Sequence, residues 1–558
     1  RGNNFSVASA QTIESSNQKT QTDKLFDKGV ELYRQGQYFK ALEVYQQVLN
    51  TRREKGDKPG IAQTLNNIGE VYYWMSKGDK ALKVLQQALS IRREIKDKSG
   101  EGETLDNIGL AYFRLNQNEK ALEILRQALA IRQQLNNKAG EGKTLSNIGL
   151  VYSSLKQYSQ ALEHLQQALV IHEKVGDKFQ KGITLQRLGA VYLDTKDYPR
   201  ALEVYQKALT VNQEIGNPVA KAYALRGIGR IYYLQKKYNL AIENFQKALP
   251  IFQKLEISSI ELFIIYSIGD TYLAQKKFEQ AIKYYQQALP VVKKIKDKSK
   301  ESFLLGVIAN TYSSHNKYDQ AIKYYQQALI LTKETNNTGQ TISYLESLGK
   351  NYFAQKQFEQ AIKYYQQVLS LLKENQKPQK VTIFVGIGES YFAQNKLEQG
   401  EKYYQQAISL ARELKNDLLE AGAIAKFISQ YTDLAKQYNS AKEYQKAIEV
   451  ANKGWEIAKK NQVPRLGIQV LMELFPAYEN LSDYDKIIEV TQESLKITRN
   501  SKITQKEAEL LKTLLKFQGN KYSLEEFNKM YDLAILYMLA KVYDITGEDK
   551  KAITYAEQ

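Results

Sequence analysis

The chain has no cysteine, which excludes disulfide frameworks, thiolate metal sites, iron–sulfur ligation and cysteine nucleophiles at once. Its three histidines are scattered, too few for a zinc set or a histidine relay. No run of 18 apolar residues exists, so no segment is long enough to cross a bilayer as a helix. Acidic residues cannot be assembled with a base, a nucleophile or a metal. The expectation is therefore a chain with no catalytic residues, no cofactor and no metal.

What is present is folded protein: 43% of residues are hydrophobic and 25% charged. A length of 558 residues means several ordinary domains or one long repeat array. Lys and Arg number 79 against 61 Asp and Glu, and residues 401–558 hold 23 of each. The whole excess of +18 thus lies in residues 1–400. Such a field suits nucleic acid, an acidic membrane or an acidic protein, but a lysine-rich solvated face explains it more simply. Ala8-Ser9-Ala10 has the small-x-small form of a secretory cleavage site, yet Arg1-Gly2-Asn3-Asn4 stands where an apolar core should be. A cytoplasmic location is expected, with export as the alternative.

A forty-residue period organises the sequence. Ala41, Ala81, Ala121, Ala161, Ala201, Ala241, Ala281, Ala321 and Ala361 recur in register. Before them stand Gly29, Gly69, Gly109, Gly149, Gly189, Gly229, Gly269 and Gly349, with Ala309 as the one substitute. An aromatic follows each small residue by three positions from Tyr72 to Tyr352, and a bulky residue such as Leu85, Tyr205 or Tyr285 follows each alanine by four. In Thr64–Tyr72 the positions 65, 68, 69 and 72 form one helical stripe, and Ala81, Leu82, Leu85, Ala88 and Leu89 form a second. Each period therefore predicts two antiparallel helices. Ser76-Lys77-Gly78-Asp79 is expected to turn between them, with the glycine ending the first helix, and Asp97-Lys98-Ser99-Gly100 to end the second. One pair cannot bury both faces, so neighbours must stack.

This small, aromatic, small, bulky pattern resembles the tetratricopeptide repeat family. The period departs from the family's usual 34, and Arg93, Gln133 and Glu173 replace the proline that normally closes the second helix. The longer form resembles the kinesin-light-chain type of repeat. The arrangement is also similar to the N-terminal arrays of bacterial, particularly cyanobacterial, proteins that carry a caspase-like peptidase domain. The resemblance implies an all-α, right-handed α-solenoid superhelix of about thirteen helix pairs. Residues 1–21 read as a leader, 22–420 as ten regular units and 421–507 as two irregular ones. Residues 508–532 read as a helical insertion and 533–558 as a truncated unit.

Two glycine motifs are explained by the repeat. Gly140-Glu141-Gly142-Lys143-Thr144 lacks the glycine a phosphate-binding loop needs at Asn137, and Gly386-Ile387-Gly388 is a helix-packing pair. His164, His172 and His315 are expected to face solvent or to be satisfied locally. Of paired tyrosines such as Tyr284-Tyr285, one is expected in the core and the other against the next unit.

The resemblance also implies that first helices line a concave groove. Along it the sequence places Glu70, Glu103 and Asp106, then Lys143, Arg187, Arg226 and Arg230, with Tyr223, Tyr233, Phe263, Tyr266 and Phe303 beside them. Lys350, Phe353, Glu389 and Phe392 mark the far end. Asn67, Asn107 and Asn147 would clamp a peptide backbone, as related groove asparagines do, because an amide both donates and accepts. The arginines would take a carboxylate and the aromatics would anchor apolar groups. The expected partner is a protein or extended peptide, one with acidic groups suiting the arginines, and the chain would be the sensing or recruiting arm of a larger protein. The competing reading is a basic solenoid that binds nucleic acid by charge alone.

Overall fold

The computed structural model describes residues 20–254 and 258–499, with Ile535, Leu536, Ala540, Lys551 and Thr554. Residues 1–19, the expected insertion at 508–532 and most of 533–558 lie outside the described residues. Among those described, all secondary structure is helical, and consecutive helices pair antiparallel.

The chain divides into two compact blocks between Lys296 and Asp297. The first holds α1 (Gln21–Arg34) with α2 (Tyr38–Glu54), α3 (Lys58–Trp74) with α4 (Gly78–Glu94), α5 (Lys98–Arg114) with α6 (Asn118–Gln134), and α7 (Lys138–Ser154) with α8 (Tyr158–Val175). It continues through α9 (Lys178–Asp194) with α10 (Tyr198–Glu214), α11 (Pro218–Leu234) with α12 (Tyr238–Lys254), and α13 (Ser258–Ala274) with α14 (Phe278–Ile295). These are pairs one to seven below.

The second block holds α15 (Lys298–Ser314) with α16 (Tyr318–Glu334), α17 (Thr338–Ala354) with α18 (Phe358–Leu371), and α19 (Lys377–Phe392) with α20 (Leu397–Glu413). After these the lengths change. The helix α21 (Asp417–Ser440) pairs with α22 (Tyr444–Lys460), and α23 (Pro464–Met472) and α24 (Leu474–Asn480) precede α25 (Tyr484–Arg499). Ile535 and Leu536 are buried against Ile468 and Leu495.

Two local devices set the helix ends. At the first helix of most pairs an Asx side chain caps the N-terminus. Asp57, Asp97, Asn137, Asp177 and Asn217 each accept from the backbone N–H three residues on. The turns use a residue with positive φ about every twenty positions, as at Gly36, Gly56, Ser76, Lys96, Asn116 and Asn136. Serine and lysine accept this left-handed geometry because a single such residue ends each helix.

This corrects two expected boundaries. Ser76, with φ 59°, ends the turn of α3, while Gly78 opens α4 against Leu115. Lys98-Ser99-Gly100 lies inside α5, behind its cap Asp97, and does not end α4.

The small positions have a direct cause. A Cβ on Gly69 would stand 2.4 Å from Leu85 Cγ, and one on Gly149 would stand 2.6 Å from Leu165 Cγ. The bulky residue of the second helix fills the space that the glycine leaves. Leu85, Leu125 and Leu165 are fully buried there, each stabilising its pair by roughly 1.5–3 kcal/mol.

The paired Tyr284-Tyr285 splits into one core residue and one that reaches both its own and the adjoining pair, where Gln246 Nε2 of pair six donates to Tyr284 Oη at 2.9 Å. Tyr285 is buried, but Tyr284 stacks on Tyr272 of its own pair at 5.5 Å, as Tyr364 does on Tyr352 at 5.3 Å. Phe392, expected in the groove, is core, wedged among Tyr404, Phe427 and Tyr431.

Candidate functional site

Within the first block, the helix pairs curl until pairs one to three face pairs five and six across a cavity of about 400 Å³. One wall is built from the last turns of first helices. It carries Tyr33 and Arg34 of α1, Tyr73 and Trp74 of α3, and Phe113 and Arg114 of α5, with Tyr38 from the start of α2. Leu150 and Ser153 of α7 form its floor. The facing wall is the N-terminal half of α9, with Phe179, Ile183, Gln186 and Arg187, and of α11, with Val219, Ala220, Tyr223 and Arg226. Tyr205 of α10 completes it. Tyr38 and Tyr223, from pairs one and six, lie close enough for Tyr223 to act on the Tyr38 phenol.

The aromatic wall is braced internally. Trp74 Nε1 donates to Tyr33 Oη at 2.9 Å, and Tyr38 stacks on Trp74 with ring planes 5° apart. Opposite, Gln186 Nε2 donates to the Ala220 carbonyl at 2.7 Å and ties α9 to α11. Burial pushes the Tyr33 and Tyr38 phenols up, so both are neutral donors at ordinary pH.

Four arginines line the cavity, and no aspartate or glutamate does. None of the four forms an ion pair among the described residues. Arg114 lies over the Tyr73 ring at 4.6 Å, and Arg226 over Tyr223 at 5.1 Å and Phe263 at 5.2 Å. Arg187 Nη1 donates to Ser146 Oγ at 2.8 Å and Asn147 Oδ1 at 2.9 Å, both neutral acceptors. Burial lowers its pKa. Cationic groups held by rings and amides keep their charge available to an anion, whereas an internal carboxylate would cancel it.

Of the groove residues picked from the sequence, Arg187, Tyr223 and Arg226 meet here. The others lie elsewhere. Asn107 is 3% exposed and donates to Asn66 Oδ1 at 3.1 Å, and Asn147 is 2% exposed beneath Arg187. Asn67 donates to Tyr45 Oη at 3.3 Å. Each asparagine thus bonds to a neighbouring pair; Asn107 and Asn147 are buried in that role, while Asn67 stays half-buried. Lys143 lies 3.9 Å from Glu70; burial would lower its pKa, but Glu70, Asp106 and Glu103 together raise it. Arg230 is exposed outside the cavity, Tyr233 packs on Tyr238, and Tyr266 packs on Tyr285.

The histidines also depart in one case. His172, expected to be solvent-facing or satisfied locally, is fully buried against Gly142, and burial pulls its pKa down. Among the described residues no cluster of three histidine, aspartate or glutamate side chains could hold a metal.

Missed by the sequence reading were Tyr33, Arg34, Tyr38, Tyr73, Trp74, Phe113 and Arg114. A signal existed. Tyr33-Arg34, Tyr73-Trp74 and Phe113-Arg114 occupy one repeat position, where later pairs carry Ser153-Ser154 and Leu193-Asp194. Aromatic and basic residues there have no packing duty common to all pairs.

Tetratricopeptide repeat family models match residues 28–94, 60–134, 102–174, 140–214, 182–254, 261–334 and 304–374, and another matches 347–415. The chain belongs to the tetratricopeptide repeat family. No curated protein matches this tetratricopeptide repeat chain. Solved structures of similar fold include the apo form of RapI, at 21% identity and a TM-score of 0.38, covering 50% of this chain and 99% of that one. A second is a signal transduction ATPase with numerous domains and a tetratricopeptide repeat sensor, from Pyrococcus horikoshii. It shows 17% identity and a TM-score of 0.45, covering 65% of this chain and 55% of that one. A Rap protein complexed with competence and sporulation factor shows 14% identity and a TM-score of 0.41, covering 63% and 97%. The likeness is one of fold.

Proposed function

We propose that this tetratricopeptide repeat chain is a protein-interaction module that holds a partner protein or extended peptide on its inner helices. An acidic group of the partner enters the cavity between pairs one and six. The observation that supports this reading is the set of four arginines without carboxylates, set among aromatic rings. Elsewhere lysines already have acidic neighbours, as in Lys178–Glu214 at 2.9 Å and Lys298–Glu334 at 3.0 Å. The cavity is thus a place where unpaired positive charge meets aromatic rings. In a larger protein such an array serves as the recruiting arm.

The test is a bead library of random octapeptides screened with the whole chain, beside a copy in which Gln and Asn replace Glu and Asp. Retained peptides are expected to carry a carboxylate next to an aromatic or branched apolar residue. Arg114→Gln with Arg226→Gln should weaken them at least tenfold with helicity unchanged, while Arg230→Gln should not. Equal retention by both libraries would overturn the reading. Tight binding of a single-stranded oligonucleotide, lost steeply with salt, would favour the charge-only alternative.

A further inference from the structure

The cavity has walls that are distant in sequence, and that gives it a second property. Its arginines come from both sides: Arg34 and Arg114 from pairs one and three, Arg187 and Arg226 from pairs five and six. A ligand in the cavity therefore touches pairs that do not adjoin along the array. Neighbouring pairs are fastened by continuous core packing, as Gly69 on Leu85 illustrates within a pair and the Asn107–Asn66 bond between pairs. Across the cavity, by contrast, what brings Arg114 and Arg226 together is the accumulated curl of several pairs. In a solenoid, small changes in each pair's rotation add up along the array.

We propose that the cavity is a clasp. A ligand with one oxyanion on a flat or branched apolar body bridges the two walls and fixes the curl of pairs one to six. This deepens the preceding reading and rests on it. The ligand chemistry follows from the lining. Facing arginines with no carboxylate in the lining and no ion-pair partner among the described residues call for an anion, and two or more forks converging on it favour a carboxylate or a phosphate monoester. Tyr38, Trp74 and Tyr223 call for an apolar, preferably planar body beside it. A volume of about 400 Å³ is near the lower end for ligand pockets, roughly 300–1,000 Å³, so the cavity accepts a small molecule or the tip of a chain. Without ligand, like charges face each other across the gap and oppose closure. With ligand, the anion reverses that sign. Binding and curl are then linked, so each favours the other.

The chain offers convenient reporters. It has two tryptophans, so Trp455→Phe leaves Trp74 as the only one, inside the cavity. It has no cysteine, so Lys40→Cys with Lys237→Cys, both exposed, places one label on pair one and one on pair six. The probes are 3-phenylpropionate, phenyl phosphate and the uncharged 3-phenylpropionamide.

The clasp requires that at least one anion changes Trp74 fluorescence and narrows the label-to-label distance distribution, and that the amide does neither. The stronger of the two anions identifies carboxylate or phosphate as the source. Arg34→Gln, on the pair-one side alone, should weaken the anion at least tenfold and abolish the narrowing. Anion binding seen by Trp74 without narrowing would overturn the clasp and leave partner capture standing. An amide that binds as well as the acids would overturn the oxyanion assignment. If neither anion reaches Trp74 while acidic peptides are still retained by the library, the clasp is overturned and the partner lies elsewhere on the inner face. If the library also retains nothing, the underlying reading fails with it.

Discussion

Asp106 in α5 is a buried carboxylate, and replacing it with asparagine tests the electrostatics of the first block. Its side chain is 0% exposed, neither carboxylate oxygen has a close hydrogen-bond partner, and the nearest cation, Arg132 Nη2, is 3.7 Å away. Burial raises its pKa to about 6, opposed by Lys143 and Arg132. An unfolded aspartate titrates near about 3.9. The folded pKa lies above the unfolded one, so the stability linked to this group is fully present below about pH 4 and is lost as pH rises through about 6. A gap of roughly two units at about 1.36 kcal/mol each sets a ceiling of about 3 kcal/mol.

Asparagine keeps the shape and removes the charge. Asp106→Asn should therefore be more stable than wild type at pH 8 by about 1–3 kcal/mol, the lower end reflecting the attraction of Lys143 and Arg132 that the variant loses. At pH 4 the difference should vanish or reverse. His172, whose folded pKa is lowered, acts in the opposite sense: its stability is present above about 6.5 and lost as pH falls. The comparison must therefore be made against wild type at each pH, so that this contribution cancels. The assay is urea unfolding at pH 4, 6 and 8, with hydrogen exchange on α5 and α7 as the local readout. A difference of constant size across that range would refute the argument, because a packing effect does not titrate.

Three further outcomes follow from the packing. Gly149→Val places side-chain atoms where even a Cβ would lie 2.6 Å from Leu165 Cγ, and should cost about 1–3 kcal/mol, seen as faster hydrogen exchange across α7 and α8. Asp57→Ala removes the acceptor for the Gly60 N–H and should cost about 1 kcal/mol in urea unfolding. Arg52→Met keeps the packing over Phe26 but deletes hydrogen bonds to the Gly60 carbonyl and Thr64 Oγ1, each 2.9 Å; it should cost about 1.5–3 kcal/mol in the same assay.

The fold was legible because the repeat states each packing rule many times. Gly69 and Leu85 recur as Gly109 and Leu125, then as Gly149 and Leu165, so one accidental match could not mislead. Helix ends were less legible. Glycine is the obvious residue for a left-handed turn, but the array also places serine, lysine and asparagine there, and Gly78 serves packing against Leu115 instead. Only the twenty-residue spacing of the turns reveals which residue carries the positive φ.

The cavity was legible only in part, for a geometric reason. Arg187, Tyr223 and Arg226 could be found from their own helices, because each helix tells which of its faces is not core. Tyr33, Trp74 and Arg114 could not be joined to them, because the meeting depends on the sum of small rotations between pairs. Each rotation is set by side-chain fit, as between Tyr205 and both Gly189 of its own pair and Gly227 of the next. A repeat motif records what every pair shares, and the curl depends on how the pairs differ. The asparagines differ for the complementary reason. Asn67, Asn107 and Asn147 recur at one position, which suits a shared role in stitching pairs together better than recognition of one ligand at one place. In such an array, therefore, the positions that break the repeat in chemistry while keeping it in length are the ones to examine for binding. Tyr73-Trp74 and Phe113-Arg114 are of that kind.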